Sequence, residues 1–275
     1  MPPSYGTQAY WDERFKNESI FEWLVPPDSL TPYITKVIER HTADPRILHI
    51  GCGSSYLSFH LRELVQSAKQ VTNVDYSEVA IQNCVQHEKR LKHFDLGEGG
   101  MIWKAVDLLC ASSVNELTAR DGGVPDGFDL IVDKSTSDCI CCADDVTLPL
   151  PYSDCALDSL KGPSTTCFKI HPLHVLAVHL AFLAKPGITR WMCLSYSTDR
   201  FPFLSTGWNT SEASTVNAQA TELGFPDPRT LWRIEHKQEV APKQEQHNED
   251  HDRSYVHRPA TVHWLYTLLR TETML

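Results

Sequence analysis

Short apolar runs alternate along this chain with stretches in which apolar residues recur at helical spacing, the pattern of strands feeding helices. The first run, Ile47, Leu48 and Ile50, ends at a tight Gly51-Cys52-Gly53 turn; a helix and a second strand closing on Asp75 follow. Ser77 is placed to cap a helix from Glu78 to about His93, and Gly97, Gly99 and Gly100 mark the loop after it. Met101 to Val106 reads as a third strand ending at Asp107. After the Asp126-Gly127 turn, Phe128 to Val132 is almost wholly apolar, as a buried parallel strand should be, and it ends at Asp133. A helix from about His171 to Ala184 carries Leu173, Leu176, Ala177, Leu180 and Leu183 on its apolar face and is closed by Lys185-Pro186-Gly187. Arg190 to Tyr196 is a fifth strand, Ser211 to Leu223 a helix stopped by Gly224, and Thr230 to Val240 with Ala260 to Arg270 the last two strands. Strand and helix in alternation predict an α/β fold: a mostly parallel sheet with helices on both faces, in one domain spanning 1–275. The terminal strand pair adds one antiparallel member, which makes seven strands.

Three stretches stand outside this alternation. Residues 1–30 are dense in aromatics (Tyr10, Trp11, Phe15, Phe21, Trp23) and are expected to form a cap segment, stapling one end of the sheet or lying as a lid over a ligand. Pro26-Pro27 then breaks the chain before a helix from Ser29 or Thr31 to about Arg40, with Leu30, Ile34, Val37 and Ile38 at helical spacing. Residues 143–170, with Pro149, Pro151, Gly162 and Pro163 among polar and small residues, read as an irregular insertion, and 241–258 as a solvated hairpin loop.

Composition narrows the function classes. A net charge of −10 over 275 residues argues against nucleic acid, which needs a basic surface, and favours a basic protein or a small molecule. No apolar run is long enough to span a bilayer and the first residues lack the pattern of a signal peptide, so a soluble, cytoplasmic protein is expected. The nine cysteines follow no zinc-finger spacing; Cys139, Cys141, Cys142 and Cys155 cluster, but without a matching pair. Nothing organises His247, His251 and His257, so reduced thiols and no metal are expected.

Asp75, Asp107 and Asp133 end three successive strands, and ligands of an open parallel sheet bind at the carboxyl ends of its strands. The Gly51-Cys52-Gly53 turn with an acid about 20 residues on is one way to hold an adenosine cofactor. A dinucleotide site wants a third glycine where this chain has Tyr56, and a triphosphate site wants a Gly-Lys-Ser/Thr that is absent. S-adenosylmethionine asks for a close backbone turn, an acid for its ribose and a polar group near its adenine amine. Gly51 and Gly53, Asp75 and Asp107 meet these in strand order.

The chain resembles the seven-stranded, class I S-adenosylmethionine-dependent methyltransferases, and within them the methyltransferase-like group that includes lysine methyltransferases of elongation factor 1-alpha. The residues that carry this are Tyr10-Trp11-Asp12-x-Arg14-Phe15 with Phe21-Glu22-Trp23, Ile47-Leu48-x-x-Gly51-Cys52-Gly53-Ser54-Ser55, Val74-Asp75-Tyr76-Ser77 and Phe128-Asp129-x-Ile131-x-Asp133-Lys134-x-Thr136-x-Asp138. The resemblance implies a Rossmann-like sheet with Gly51 and Gly53 beside the methionine part of the donor and Asp75 on its ribose. Tyr76 belongs to the same set, Asp107 and Leu108 would flank the adenine, and Trp11 and Arg14 would lie in a segment closing over the donor. Asp133 would sit at the mouth as both donor-binding and catalytic residue, orienting an incoming amine, with Trp11, Trp23 or Tyr76 favouring its cation; the alternative is that it caps a helix in the following turn. Two departures stand at the site: His49 where many such enzymes have an acid, and Lys134-Ser135-Thr136 where the group has Lys-Gly-Thr. The implied product is S-adenosylhomocysteine, and the implied partner a basic protein such as elongation factor 1-alpha. A small-metabolite acceptor, with 143–170 as a lid, and a non-catalytic cofactor-binding scaffold are the rival readings.

Overall fold

The computed structural model describes residues 3–18, 20–39, 44–91, 99–118, 127–152, 166–204, 216–241 and 262–275. Seven strands form one sheet in the order β3-β2-β1-β4-β7-β9-β8. They are β1 (Ile47–Ile50), β2 (Val71–Asp75), β3 (Ile102–Ala105), β4 (Leu130–Lys134), β7 (Arg190–Ser195), β8 (Trp232–Val240) and β9 (His263–Arg270). All neighbours pair in parallel except β9, which runs antiparallel to both β7 and β8. The seven-stranded, mostly parallel sheet with one reversed member is therefore present. Strand order reverses between β1 and β4, the place in an open sheet where loops diverge and leave a crevice.

Helices cover both faces. On one side α2 (Thr31–Ile38) and α3 (Leu57–Glu63) place Ile34, Val37, Leu57 and Leu61 over Ile47, Val71, Leu130, Val132 and Leu194. On the other, α7 (Pro172–Leu183) packs on Leu48, Ile50, Val74, Ile131 and Trp191. The amphipathic face expected for α7 is not what the fold shows, since it is buried nearly all round. The reason lies in the stretch expected to be irregular. Residues of 143–170 form β5 (Val146–Leu150) and β6 (Thr166–Ile170), an antiparallel pair apart from the main sheet, whose Leu148, Leu150 and Ile170 join the same core as α7. A helix covered on its outer side needs no polar face.

Other boundaries moved. The helix after Ser77, α4, spans Glu78–Arg90, and of the helix expected over 211–223 the described residues form α8 (Ala218–Glu222), capped by Asn217. Residues 242–258 of the expected loop, with His247, His251 and His257, and Cys155, Gly97 and Asp126 lie outside the described residues. Among the described residues the cysteines are free thiols, no cluster could hold a metal ion, and no helix is long and apolar enough to cross a membrane. Ahead of the sheet, α1 (Gln8–Asn17) lies across α4, with Trp11 and Phe15 packed on Ala80. Two short helices, α5 (Ala111–Asn115) and α6 (Thr136–Ile140), follow β3 and β4, and α9 (Pro228–Leu231) lies beside α7.

Candidate functional site

The β1 to β4 crevice opens into a cleft of about 950 Å³ counted out to its mouth. Its floor is the Gly51-Cys52-Gly53 turn. Gly51 and Gly53 both take left-handed conformations (φ +54° and +48°) that side-chain-bearing residues disfavour, and a Cβ on Gly51 would collide with the Thr136 side chain. The turn is held in place by Cys52 N–H donating to the Val74 carbonyl (3.0 Å) and Gly53 N–H donating to Asp75 Oδ2 (2.9 Å).

Asp75 ends β2 with its carboxylate almost entirely buried at the cleft wall. Oδ1 accepts from Ser77 N–H (2.9 Å) and Oδ2 from Gly53 N–H, which leaves further lone pairs on both oxygens. Those two hydrogen bonds do not offset the loss of water, so burial pushes the carboxyl up to about 6. Tyr76, next in sequence, lines the cleft, and its phenol is also raised, first by burial and then by Asp75. Asp107 and Leu108 follow β3 into the opposite wall. There Asp107 is exposed and its Oδ1 accepts Leu109 N–H (2.9 Å), while Leu108 is buried.

An aromatic strap from the N-terminal segment covers the cleft. Tyr5, Trp11, Phe15, Phe21 and Trp23 all line it, with Trp11 stacked on Phe15 (5.6 Å between centroids) and its indole N–H donating to the Tyr5 carbonyl (2.7 Å). The strap is pinned at several points: Ser77 Oγ to Asp12 (2.5 Å), Asn83 to the Phe15 carbonyl (2.9 Å) and Ser54 Oγ to Glu18 (3.2 Å). Glu22 makes the densest contact. It accepts from Ser55 Oγ (2.7 Å), from Tyr56 N–H (2.6 Å) at the start of α3, and from the ammonium of Lys134 at the end of β4. Lys134 is almost fully buried, and burial outweighs the pull of Glu22, so its ammonium titrates below the ordinary lysine value. Gly6 of the strap closes against the backbone of Cys142 and Ala143, where a Cβ would not fit.

Of the residues anticipated from sequence, Trp11, Gly51, Gly53, Asp75, Tyr76, Asp107 and Leu108 line this one cleft. Two do not. Arg14 turns aside, with Nε on Glu18 (2.6 Å) and its guanidinium over the rings of Trp11, Phe21 and Trp23 at 4.7 to 5.5 Å. Asp133 does not stand at the mouth: 1% exposed, it accepts from Thr136 N–H (2.8 Å), Ser137 N–H (3.3 Å) and Ser137 Oγ, which caps the entry to α6. The position expected to orient a substrate is thus a buried capping carboxylate, pushed up to about 6 by burial.

The cleft also holds residues that sequence reasoning left unassigned: Glu22's partner Lys134, the strap's Tyr5, Ser135, and His49. His49 Nδ1 pairs with Ser58 Oγ (2.9 Å), and burial with the Lys134 charge lowers the ring to about 3, so it is neutral where an acid is common. Cys139 of α6 faces the cleft as a thiol raised to about 12 by burial and then by Asp138, too weakly acidic to serve as a nucleophile near neutrality. The Lys134-Ser135-Thr136 departure also has a visible cost, since Ser135 sits at φ +71°, a conformation suited to glycine.

The arrangement fits an adenosine-type donor without phosphates. A bare turn admits a close ligand backbone, a buried carboxylate keeps lone pairs for a diol, and Val106 and Leu108 give the lining an apolar surface suited to a flat ring. Tyr56, at the place of a third dinucleotide glycine, packs its ring on Phe59 and His87 instead of leaving a close helix approach.

Residues 41–150 match a family described as a methyltransferase domain. Over 200 residues the chain is 34% identical to methyltransferase srdJ of Neurospora crassa, covering 72% of this chain and 70% of that protein. Among solved structures it is similar to magnesium protoporphyrin IX methyltransferase from Synechocystis PCC 6803 with bound S-adenosylmethionine, at 10% identity and a TM-score of 0.46, over 97% of this chain and 93% of that one. It is also similar to TrmN from Thermus thermophilus, at 11% identity and a TM-score of 0.43, over 94% of this chain and 53% of that one.

Proposed function

The chain belongs to the methyltransferase family, and from that premise we propose that it methylates a small, largely apolar acceptor held under the aromatic strap. The donor is S-adenosylmethionine, which supplies a methyl group on a sulfonium and so needs little covalent help from the protein. The chain's own contribution is position. Asp75 would accept the ribose hydroxyls, Gly51 and Gly53 would admit the amino-acid end, and Leu108 and Asp107 would flank the adenine. Trp11 and Phe15, roofing the cleft, exclude water from the transfer. Alignment of acceptor, methyl and sulfur in such a closed site supplies most of the rate.

The observation that carries the acceptor assignment is the aromatic and apolar part of the lining, since most of the polar residues left beside the donor's, His49, Ser54, Ser55, Lys134 and Thr136, are already paired within the protein. Tyr5, Phe21 and Trp23 of the strap and Ile140, Cys139 and Ala143 of α6 and its exit are aromatic or apolar and bring no carboxylate. Ala143, where the 143–170 stretch begins, packs on Gly6, which ties the strap to the exit of α6 at the edge of the cleft.

Lysine methylation of a basic protein, such as elongation factor 1-alpha, is the second reading. The net charge of −10 and the rings of Trp11, Trp23 and Tyr76, which suit a cation, favour it. The two separate on one assay: label from methyl-tritiated donor, incubated with cell extract, is counted in the organic-soluble and acid-precipitated protein fractions. Label in the organic fraction supports the small acceptor; label confined to protein supports lysine; label in neither refutes both.

A further inference from the structure

Four serine and threonine hydroxyls line the cleft: Ser54, Ser55, Ser135 and Thr136. Three are already engaged. Ser54 Oγ donates to Glu18, Ser55 Oγ to Glu22, and Thr136 Oγ1 to the Ile50 carbonyl (2.9 Å). Ser135 Oγ alone of the four is buried without a hydrogen-bond partner, on a residue only 6% exposed. A buried hydroxyl left unpaired is costly, and here it sits on a backbone that also disfavours any side chain. Glycine, which the resembling group carries at this place, would remove both costs. A residue that is locally unfavourable twice over at a cleft wall is one whose return comes from the ligand.

The register says which part of the ligand. β1 and β4 pair Ile50 with Asp133 at their ends, so the chain that leaves β4 through Ser135 runs alongside the chain that leaves β1 into the glycine turn. Thr136, its neighbour, is tied to Ile50 and touches Gly51. That turn is where the donor's amino-acid end belongs. Side chains that could otherwise bind a charged ammonium or carboxylate there are committed elsewhere: Lys134 to Glu22 and the Val25 carbonyl, Arg14 to Glu18.

We propose that Ser135 Oγ is a donor-binding residue specific to this chain, hydrogen-bonded to the ammonium or carboxylate of the amino-acid end of S-adenosylmethionine after rotation about χ1. This rests on the donor reading of the cleft. Because a hydroxyl accepts and donates, it serves either charged group, and methyl transfer itself leaves that end of the donor unchanged.

The test is calorimetric titration of the whole chain and of Ser135→Ala and Ser135→Gly with two probes. One is S-adenosylhomocysteine; the other is methylthioadenosine, which has the same nucleoside and no amino-acid end. Loss of a hydrogen bond to a charged group weakens S-adenosylhomocysteine by roughly tenfold or more in both variants and leaves methylthioadenosine within about twofold. Thermal melts confirm folding, with Ser135→Gly melting no lower than the parent. Equal S-adenosylhomocysteine affinity in parent and variants, or equal losses for both probes, overturns the assignment of Ser135 alone. A parent chain that binds neither probe overturns the donor reading and this proposal with it.

Discussion

Replacing Asp75 by Asn separates binding from folding, because the two effects run in opposite directions. In the free protein the buried carboxylate titrates near 6 against an ordinary value of 3.8. Near pH 7 that shift of about 2 units disfavours the folded chain by about 3 kcal/mol. Asn removes this charge cost. It also offers only one oxygen, while both Asp75 oxygens accept backbone N–H groups, from Ser77 and from Gly53. One N–H then faces an amide NH₂, a loss of about 1 to 3 kcal/mol. Folding stability at pH 7 therefore stays within about 1 to 2 kcal/mol of the parent. Donor affinity has no such offset. A ribose diol gives two hydrogen bonds to a carboxylate, each of about 1.5 to 3 kcal/mol, and Asn retains one at most, so affinity falls by roughly tenfold to a hundredfold or more. The pH profile adds a second signature. Folded-state Asp75 holds its proton more tightly than the unfolded chain, so its share of stability is complete below about pH 4 and is lost as pH rises through about 6. Asp75→Asn therefore gains stability relative to the parent over that span. Parent affinity for S-adenosylhomocysteine rises with pH up to about 6 and levels off, and the variant's stays flat. Calorimetry and urea unfolding at several pH values measure both. A variant whose affinity loss merely tracks a loss of stability would refute this reasoning and make Asp75 a structural residue.

Asp133→Ala strips the acceptor from three donors of Thr136 and Ser137, about 1 to 3 kcal/mol each, and at pH 7 relieves a charge cost of about 3 kcal/mol like that of Asp75, so stability there is expected to fall by about 0 to 6 kcal/mol. The cost grows at pH 5, where the parent carboxyl, at about 6, is protonated and carries no charge penalty; donor affinity by calorimetry shifts by no more than roughly threefold. Lys134→Met leaves Glu22 with Ser55 Oγ and Tyr56 N–H but without its cation. Because Glu22 is partly exposed and keeps those two hydrogen bonds, while the burial cost of the ammonium is removed, the loss is expected to be about 1 to 3 kcal/mol, read by urea unfolding, and limited proteolysis should cut the 1–25 strap sooner. Trp11→Ala removes a ring packed on Phe15, Trp23 and Tyr10. About 3 to 5 kcal/mol of stability should go with it, together with faster donor release in stopped-flow fluorescence.

What the sequence made legible is what short-range chemistry dictates. Short apolar runs such as Leu130 to Val132 mark the parallel strands, and the glycine turn and Asp75 are joined by a single strand-helix-strand unit, so Gly53 N–H meets Asp75 across 22 residues without help from elsewhere. The features that were not legible are set by distant partners. Asp133 stands at a strand end like Asp75, yet its carboxylate is consumed by Ser137 on the next turn, which strand-end position alone does not reveal. Pro149 and Pro151 suggested irregular chain, but an isolated two-stranded ribbon has edges on both sides and tolerates proline there, and its pairing with 166–170 is not written in local pattern. The Glu22 and Lys134 pair links positions 112 residues apart, and the left-handed Ser135 violates the local rule that would have placed glycine there.

The central claim is that the crevice between β1 and β4 is a methyl-donor site roofed by tryptophans. Trp11 and Trp23 line it, so ligand entry is reported by their fluorescence. Titration with S-adenosylhomocysteine should give saturable change at one ligand per chain, while NADH and ATP at the same concentrations give none. No saturable response to S-adenosylhomocysteine, or an equal response to NADH, would contradict it.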